Sequence, residues 1–216
     1  MDKRKTRAGM KGGHGFTFLE LLSVMAVIGI LLAAGAGLMG RGAEKTRTAV
    51  ATLSGMVDQG RALAITMRRT VVLALAAPDE VESGDGQCRV GLLVTDALKQ
   101  DGSVCEAVMV GRWEVMPIGV VLSGGGVAEY RNPLDENPVA LRYVVGGRPV
   151  EIRVHALAFT ARGGLAWPCG SDPVILRVTE GRYRGGVATV RPSGGTVVEE
   201  KLRIGRVIAR PWRIDG

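Results

Sequence analysis

Aromatic residues make up only 4% of this chain, three each of Phe, Trp and Tyr. The stacking platforms on which proteins seat single-stranded nucleic acid are therefore scarce. Histidine is rarer still, with His14 near the start and His155 far downstream. No Cys-x-x-Cys occurs among Cys88, Cys105 and Cys169, and His155 falls on the polar parity of an alternating segment. Zinc-type ligand spacing is absent, and neither a metal nor a cofactor is expected. The sequence pairs no serine or cysteine with His155 and sets no two carboxylates at an informative spacing. No catalytic residue is nominated, and an enzyme is not the expectation. Internal repeats and low-complexity linkers are also missing, apart from glycine clusters such as Gly124-Gly125-Gly126.

Negative charge is almost absent from the first 15 residues, where Lys3, Arg4, Lys5, Arg7 and Lys11 face only Asp2. An apolar run from Leu21 to Met39 follows. The positive-inside rule then keeps the N-terminus cytoplasmic and sends everything after about residue 41 outward. A secretory signal peptide would carry its small-residue cleavage site beyond the apolar run, whereas here Gly15 precedes it. From Phe16 to Gly40 the chain has 25 residues, enough at about 1.5 Å per residue to cross a hydrocarbon core of about 30 Å. Within Gly15-Phe16-Thr17-Phe18-Leu19-Glu20, Glu20 puts a carboxylate at the start of this segment. An unpaired charge there costs several kcal/mol by rough estimate, so Glu20 needs a partner or a function.

Gly15, Phe16, Thr17, Leu19, Glu20, Leu21 and Leu22, with Val27, Ile28, Gly29, Ile30 and Leu31, resemble the class III signal of type IV pilins and type II secretion pseudopilins. Phe18 stands where Leu is usual. The resemblance implies a leader over 1–15, cut after Gly15 by a prepilin peptidase that also methylates the new N-terminal Phe16. It further implies that Glu20 pairs with the N-terminal amine of a neighbouring subunit during filament assembly. A carboxylate and an ammonium attract far more strongly in a low-dielectric bundle than in water. An ordinary anchor whose Glu20 snorkels to the interface would explain neither Gly15 nor the residues between. The partners implied are the peptidase, other pseudopilins or pilins, and an inner-membrane assembly platform. The location implied is the inner membrane, single-pass, with a periplasmic C-terminal domain later extracted into a filament.

Glycines at 35, 37, 40 and 42 cluster about the end of the apolar run, each about 1 kcal/mol less favourable in a helix than alanine. Helical periodicity resumes with Val50, Leu53, Val57, Ala64 and Met67 on one face and Arg47, Asp58, Arg61 and Arg68 largely elsewhere. This reads as a second, amphipathic half of one long helix. The expected order is a leader at 1–15, a transmembrane helix at 16–40, the amphipathic half at 41–70 and a β-rich domain at 71–216. β-Branched runs at 71–76, 90–95, 107–116, 119–122, 140–145, 150–160, 174–179, 186–190 and 196–210 are separated by turn residues. Val150, Ile152 and Val154 alternate with Glu151, Arg153 and His155, predicting one wet face. The fold class expected is α+β, a long N-terminal helix packed on an antiparallel sheet or small β-sandwich, pilin-like.

Arg61-Ala62-Leu63-Ala64-Ile65 leading into Val71-Val72-Leu73, then Phe159 to Gly164, Ile175 to Val178 and Arg203 to Val207, resemble the GspH/FimT branch of minor pseudopilins and minor pilins. Gly35-Ala36-Gly37-Leu38-Met39-Gly40 matches a dinucleotide fingerprint in spelling, with Asp58 as acidic residue. It follows a long apolar run rather than a short strand, so a nucleotide site is set aside. Cys88 and Cys105 flank a plausible hairpin and are the better disulfide pair, with Cys169 left over or bridging to one of them; all three being reduced stays open.

The formal charge is +7, of which the leader carries +4, leaving about +3 for the rest. Arg182, Arg184, Arg191, Lys201, Arg203, Arg206, Arg210 and Arg213 gather near the C-terminus against Glu180, Glu199, Glu200 and Asp215. Some minor pilins of the resembled branch bind DNA through a Gly-Arg-x-Arg motif, which Gly205-Arg206-Val207-Ile208 breaks. Arg203, Arg206 and Arg210 are the possible DNA contacts, but nucleic acid is not the expected partner. A solvated face that deters edge-to-edge aggregation explains the same charges. The function expected is a minor pseudopilin of a type II secretion pseudopilus, with a minor pilin of a pilus or DNA-uptake system as the alternative.

Overall fold

The computed structural model describes residues 18–39, 41–81, 85–99, 101–125, 129–192 and 197–214. The chain falls into two compact units, Met1–Gly40 and Arg41–Gly216.

In the first unit, α1 spans Phe18–Met39. Its described side chains are Phe18 and residues 21–30, all exposed. Among the described residues no helix is long and apolar enough to cross a membrane. Gly35 and Gly37 lie inside α1, so the fingerprint-like run does not join a strand to a helix.

In the second unit, α2 covers Arg41–Met67. The helix expected to be long is described here as one helical element in each unit, and α2 packs on sheet within the second. Ala49, Val50, Leu53, Val57 and Ala64 are buried as a stripe at helical spacing. Met67, expected on that stripe, is 45% exposed. It sits in the last turn, and the next residue, Arg68, has a positive φ of 53°, the left-handed conformation that ends helices and reverses the chain.

Among the described residues eleven strands follow: β1 Thr70–Ala76, β2 Arg89–Thr95, β3 Cys105–Val115, β4 Val120–Ser123, β5 Val139–Val145, β6 Arg148–Phe159, β7 Leu165–Trp167, β8 Val174–Arg184, β9 Val187–Val190, β10 Glu199–Ile204 and β11 Pro211–Ile214. β1, β2, β3, β5 and β6 pair in that order, and β6 returns to pair β1, so the strands close into a barrel. The seam is one short parallel contact, Cys105 and Glu106 beside Leu141 and Arg142. The closure, which at the β3–β5 seam spans only two residue pairs and leaves β7 outside the ring, replaces the expected antiparallel sheet or small sandwich, although the class remains α+β.

Alternation divides the apolar residues of the barrel strands between two cores. Val72, Ala74, Leu93, Leu141, Val154 and Ala156 belong to one, whereas Val71, Leu73, Leu92, Leu157 and Phe159 cluster with the α2 stripe. That second core is shared with the other sheet, ordered β11-β10-β8-β4 with β9 on β8, through Leu122, Val174, Leu176, Val178, Leu202 and Ile204. Helix α2 therefore packs against both the barrel and the second sheet. Gly60 marks the closest approach, since a Cβ there would meet Phe159 Cε2 at 2.8 Å and Leu92 Cδ2 at 3.0 Å.

Candidate functional site

Gly15 and Phe16 lie outside the described residues. Glu20 is the third residue of α1, and its side chain is likewise not among those described. Beyond it, Leu21, Leu22, Val24, Met25, Val27, Ile28 and Ile30 are 46% to 69% exposed. A contiguous apolar helix surface of this kind is covered by lipid or by other apolar helices when the protein is in place.

The C-terminal basic residues do not act as one strip. Arg203, on β10, holds its guanidinium 5.5 Å from the centre of the Tyr130 ring. Arg206, in the turn after β10, donates from Nε to the Asp172 carbonyl at 2.6 Å and from Nη1 to the Pro168 carbonyl. Burial, with Arg131 nearby, moves its pKa below the usual arginine value. Arg210 is exposed. Two carboxylates engage Lys201 and Arg213 of the remainder. Glu199 accepts two hydrogen bonds from Arg177, at 2.8 and 2.9 Å, and lies 3.7 Å from Lys201. Glu200 accepts two from Arg213, at 2.8 and 2.7 Å, and stands 3.6 Å from Arg47. Arg203, Arg206 and Arg213 do line an open groove of about 780 Å³ with Trp212, Ser171 and Pro173. The guanidinium of Arg206 is already committed to main-chain carbonyls there.

Sequence reasoning missed a polar cluster between the layers. Tyr183 on β8 accepts a hydrogen bond from Leu122 N at 3.1 Å, and burial is the main force raising its pKa. Cys88 is buried beside it, which pushes the thiol up to about 11. Glu80 accepts from Ala77 N at 2.7 Å, and burial outweighs that bond in raising its carboxyl above the ordinary value. Glu80, His155 and Tyr183 line a cavity of about 330 Å³. His155 Nδ1 is buried there without a partner. Burial thus favours the protonated thiol and phenol. No local signal joins Glu80 to Tyr183, because the approach is made by β1 and β8 from different sheets.

None of the three cysteines forms a disulfide, which corrects the expected Cys88–Cys105 pair. Cys88 precedes β2 and its carbonyl accepts from Met116 N at the far end of β3. Cys105 begins β3, beside the other end of β2. The seven residues of β2 set the two thiols roughly 20 Å apart along the hairpin, against about 7 Å at most between the Cα atoms of a disulfide. They also pack in different cores. Among the described residues no group of three or more His, Cys, Asp or Glu is placed to hold a metal. Asp58 lies within α2, exposed, and ends no strand.

Compared with known proteins, residues 10–36 match the model of the prokaryotic N-terminal methylation motif. That match covers Gly15, Phe16 and Glu20. No curated protein and no solved structure matches the chain. The motif is a type IV pilin-type signal and marks a pilin-like or pseudopilin protein with a membrane-anchored N-terminus. It implies processing by prepilin peptidase and assembly with other pilin-like subunits.

Proposed function

We propose that this chain is a minor pseudopilin of the GspH/FimT type, a structural subunit of a type II secretion pseudopilus rather than an enzyme. The methylation motif over residues 10–36 carries the reading, because it combines a small residue before the apolar run with a carboxylate inside it. Prepilin peptidase cuts after Gly15 and methylates Phe16. The mature helix stays in the inner membrane until the assembly platform adds the subunit to a filament. During that step Glu20 meets the N-terminal ammonium of a neighbour. At 4 Å such a pair attracts by about 1 kcal/mol in water but roughly 4 kcal/mol at an effective dielectric constant near 20. The uncovered apolar side chains of α1 support a bundled helical core, leaving the β-rich unit in the periplasm to contact other subunits or cargo. The DNA-uptake alternative loses support where Arg206 is turned onto the carbonyls of Pro168 and Asp172.

The test is intact mass and N-terminal peptide mapping of protein purified from membranes that hold an active prepilin peptidase. The expected product begins at N-methylated Phe16. A chain that still begins before Gly15 in those cells overturns the reading.

A further inference from the structure

The β8–β9 hairpin turns at Gly185-Gly186, with φ of 52° and 73°, the two positive values of a type I′ turn. In a two-residue hairpin the flanking pair, here Arg184 and Val187, is hydrogen-bonded. Alternation then directs the main-chain groups of Ala188 and Val190 away from β8. β9 pairs with β8 alone, and among the described residues no main-chain bond covers that outer edge.

Several other strand edges are guarded. On β4, Leu122 N donates to Tyr183 and Ser123 O accepts from Asn132 Nδ2 at 2.8 Å. β11 begins with Pro211, and Leu165 N of β7 donates to Arg206 O. β9 reads Val-Ala-Thr-Val, with no charge, no proline and no bulge, and Val187 and Val190 are 67% and 38% exposed. β9 is short, at four residues, but an edge with no charge, proline or bulge of its own is a template for another strand.

The same ribbon concentrates uncompensated positive charge. The register sets Arg182 opposite Thr189 and Arg184 opposite Val187, and Arg191, two residues past Thr189, shares their face. All three arginines are exposed, and none makes an ion pair among the described residues. Arg142, Arg177 and Arg213 by contrast each hold a glutamate. Glu180 stands on the same face, but its Oε2 is buried without a partner. With Thr189, Val190 and Pro192 the arginines line an open groove of about 460 Å³. Arg191 N donates to Glu180 O at 2.9 Å, which sets Arg191 opposite Glu180, whereas Arg182 and Arg184 have no acidic residue opposite them.

We infer that β9 is a docking edge for an acidic, extended segment of a partner polypeptide. The segment adds as a strand, its main chain bonding Ala188 and Val190, its alternate carboxylates facing Arg182, Arg184 and Arg191. The residues between them lie on the face of Ala188. A polypeptide fits better than nucleic acid, because the edge offers donors and acceptors that only another main chain matches in alternation. Tyr183, the ribbon's aromatic, lies on the opposite face with its hydroxyl engaged. This inference holds whether or not the chain enters a secretion filament.

The experiment uses the full chain in detergent micelles and a fluorescein-labelled Glu-Val-Glu-Val-Glu-Val-Glu peptide, read by anisotropy. Comparators are the Lys-Val counterpart, an acidic peptide with alternate amides N-methylated, and a short duplex DNA. The acidic peptide is expected to bind and the Lys-Val peptide not to. Changing Arg182, Arg184 and Arg191 together to Ser should weaken binding by about tenfold or more. Val190→Pro, which removes an outward N–H and leaves the β8 ladder intact, should weaken it similarly. The N-methylated peptide gives the same answer without any change to the protein. No binding of the acidic peptide to the unaltered chain overturns the inference. So does equal binding of the N-methylated peptide, or tighter binding of the duplex, either of which makes the ribbon a general polyanion surface.

Discussion

Replacing Gly60 with alanine tests how α2 is seated. On an exposed helix the change stabilises by about 1 kcal/mol, because alanine has less backbone freedom to lose. At Gly60 the new Cβ would stand 2.8 Å from Phe159 Cε2 and 3.0 Å from Leu92 Cδ2. Both side chains are essentially fully buried, so neither can swing into solvent. Overpacking of this kind costs about 1–3 kcal/mol, and after the helical gain of about 1 kcal/mol the net loss should be about 0–2 kcal/mol. Gly55, in the same helix, is the internal control: it is exposed, and an added Cβ meets nothing within 4 Å. Gly55→Ala should therefore stabilise by about 0.5–1 kcal/mol. For a domain of this size each kcal/mol moves Tm by about 2–4 °C, so the two variants should melt several degrees apart. Near-UV circular dichroism of the full chain in detergent follows the loss of packed aromatic rings. If Gly60→Ala melts at or above the temperature of Gly55→Ala, the packing of α2 on Phe159 and Leu92 is wrong.

Glu20→Ala should leave membrane insertion intact and reduce crosslinking to co-expressed pilin-like subunits; unchanged crosslinking would remove Glu20 from assembly. Changing Arg203, Arg206 and Arg210 to Gln should have little effect on what is expected to be only weak duplex-DNA binding at physiological salt, whereas submicromolar, salt-sensitive binding that these changes abolish would promote the DNA-uptake reading. Arg206→Gln alone should lower stability by about 1–2 kcal/mol, because the Pro168 and Asp172 carbonyls lose a charged donor; an unchanged urea midpoint would refute that. The hydrogen bonds from Arg177 hold the Glu199 carboxyl below its ordinary value of 4.5. Its contribution to stability is complete above that value and is lost as pH falls through the lower folded value. Urea midpoints measured over roughly pH 3–6 should show this acid loss in the unaltered protein and less of it in Arg177→Gln; identical profiles would count against the pair.

The methylation motif was legible because it is a contiguous run, in which Gly15, the basic residues before it and Glu20 keep their meaning without any folded partner. Local periodicity likewise located the buried stripe of α2 and most strands. Val150, Ile152 and Val154 turn inward while Glu151 and Arg153 face water, because alternation is a property of a single strand. It failed where an element is short or interrupted. β7, Leu165–Trp167, has three residues and leaves no pattern. The run at 196–210 breaks after Ile204 into a turn in which Ala209 takes a φ of 41°, and the chain resumes as β11. The run expected to stop at Thr179 continues to Arg184 and builds the hairpin with β9.

Only tertiary structure decided which strands meet and which charges are neutralised. The barrel closes on two residue pairs between β3 and β5, a long-range contact with no periodic signature. Cys88 and Cys105 flank one hairpin in sequence yet stand at its opposite ends, because antiparallel pairing sets the start of one strand beside the end of the other. The eight basic residues near the C-terminus read alike in one dimension. Folding gives Arg206 to two carbonyls, Arg213 to Glu200 and Arg203 to the ring of Tyr130, and leaves Arg182, Arg184 and Arg191 without an ion pair among the described residues. Charge is carried by the chain, but its compensation depends on distances of a few ångströms between segments far apart in sequence, which only the packed fold sets.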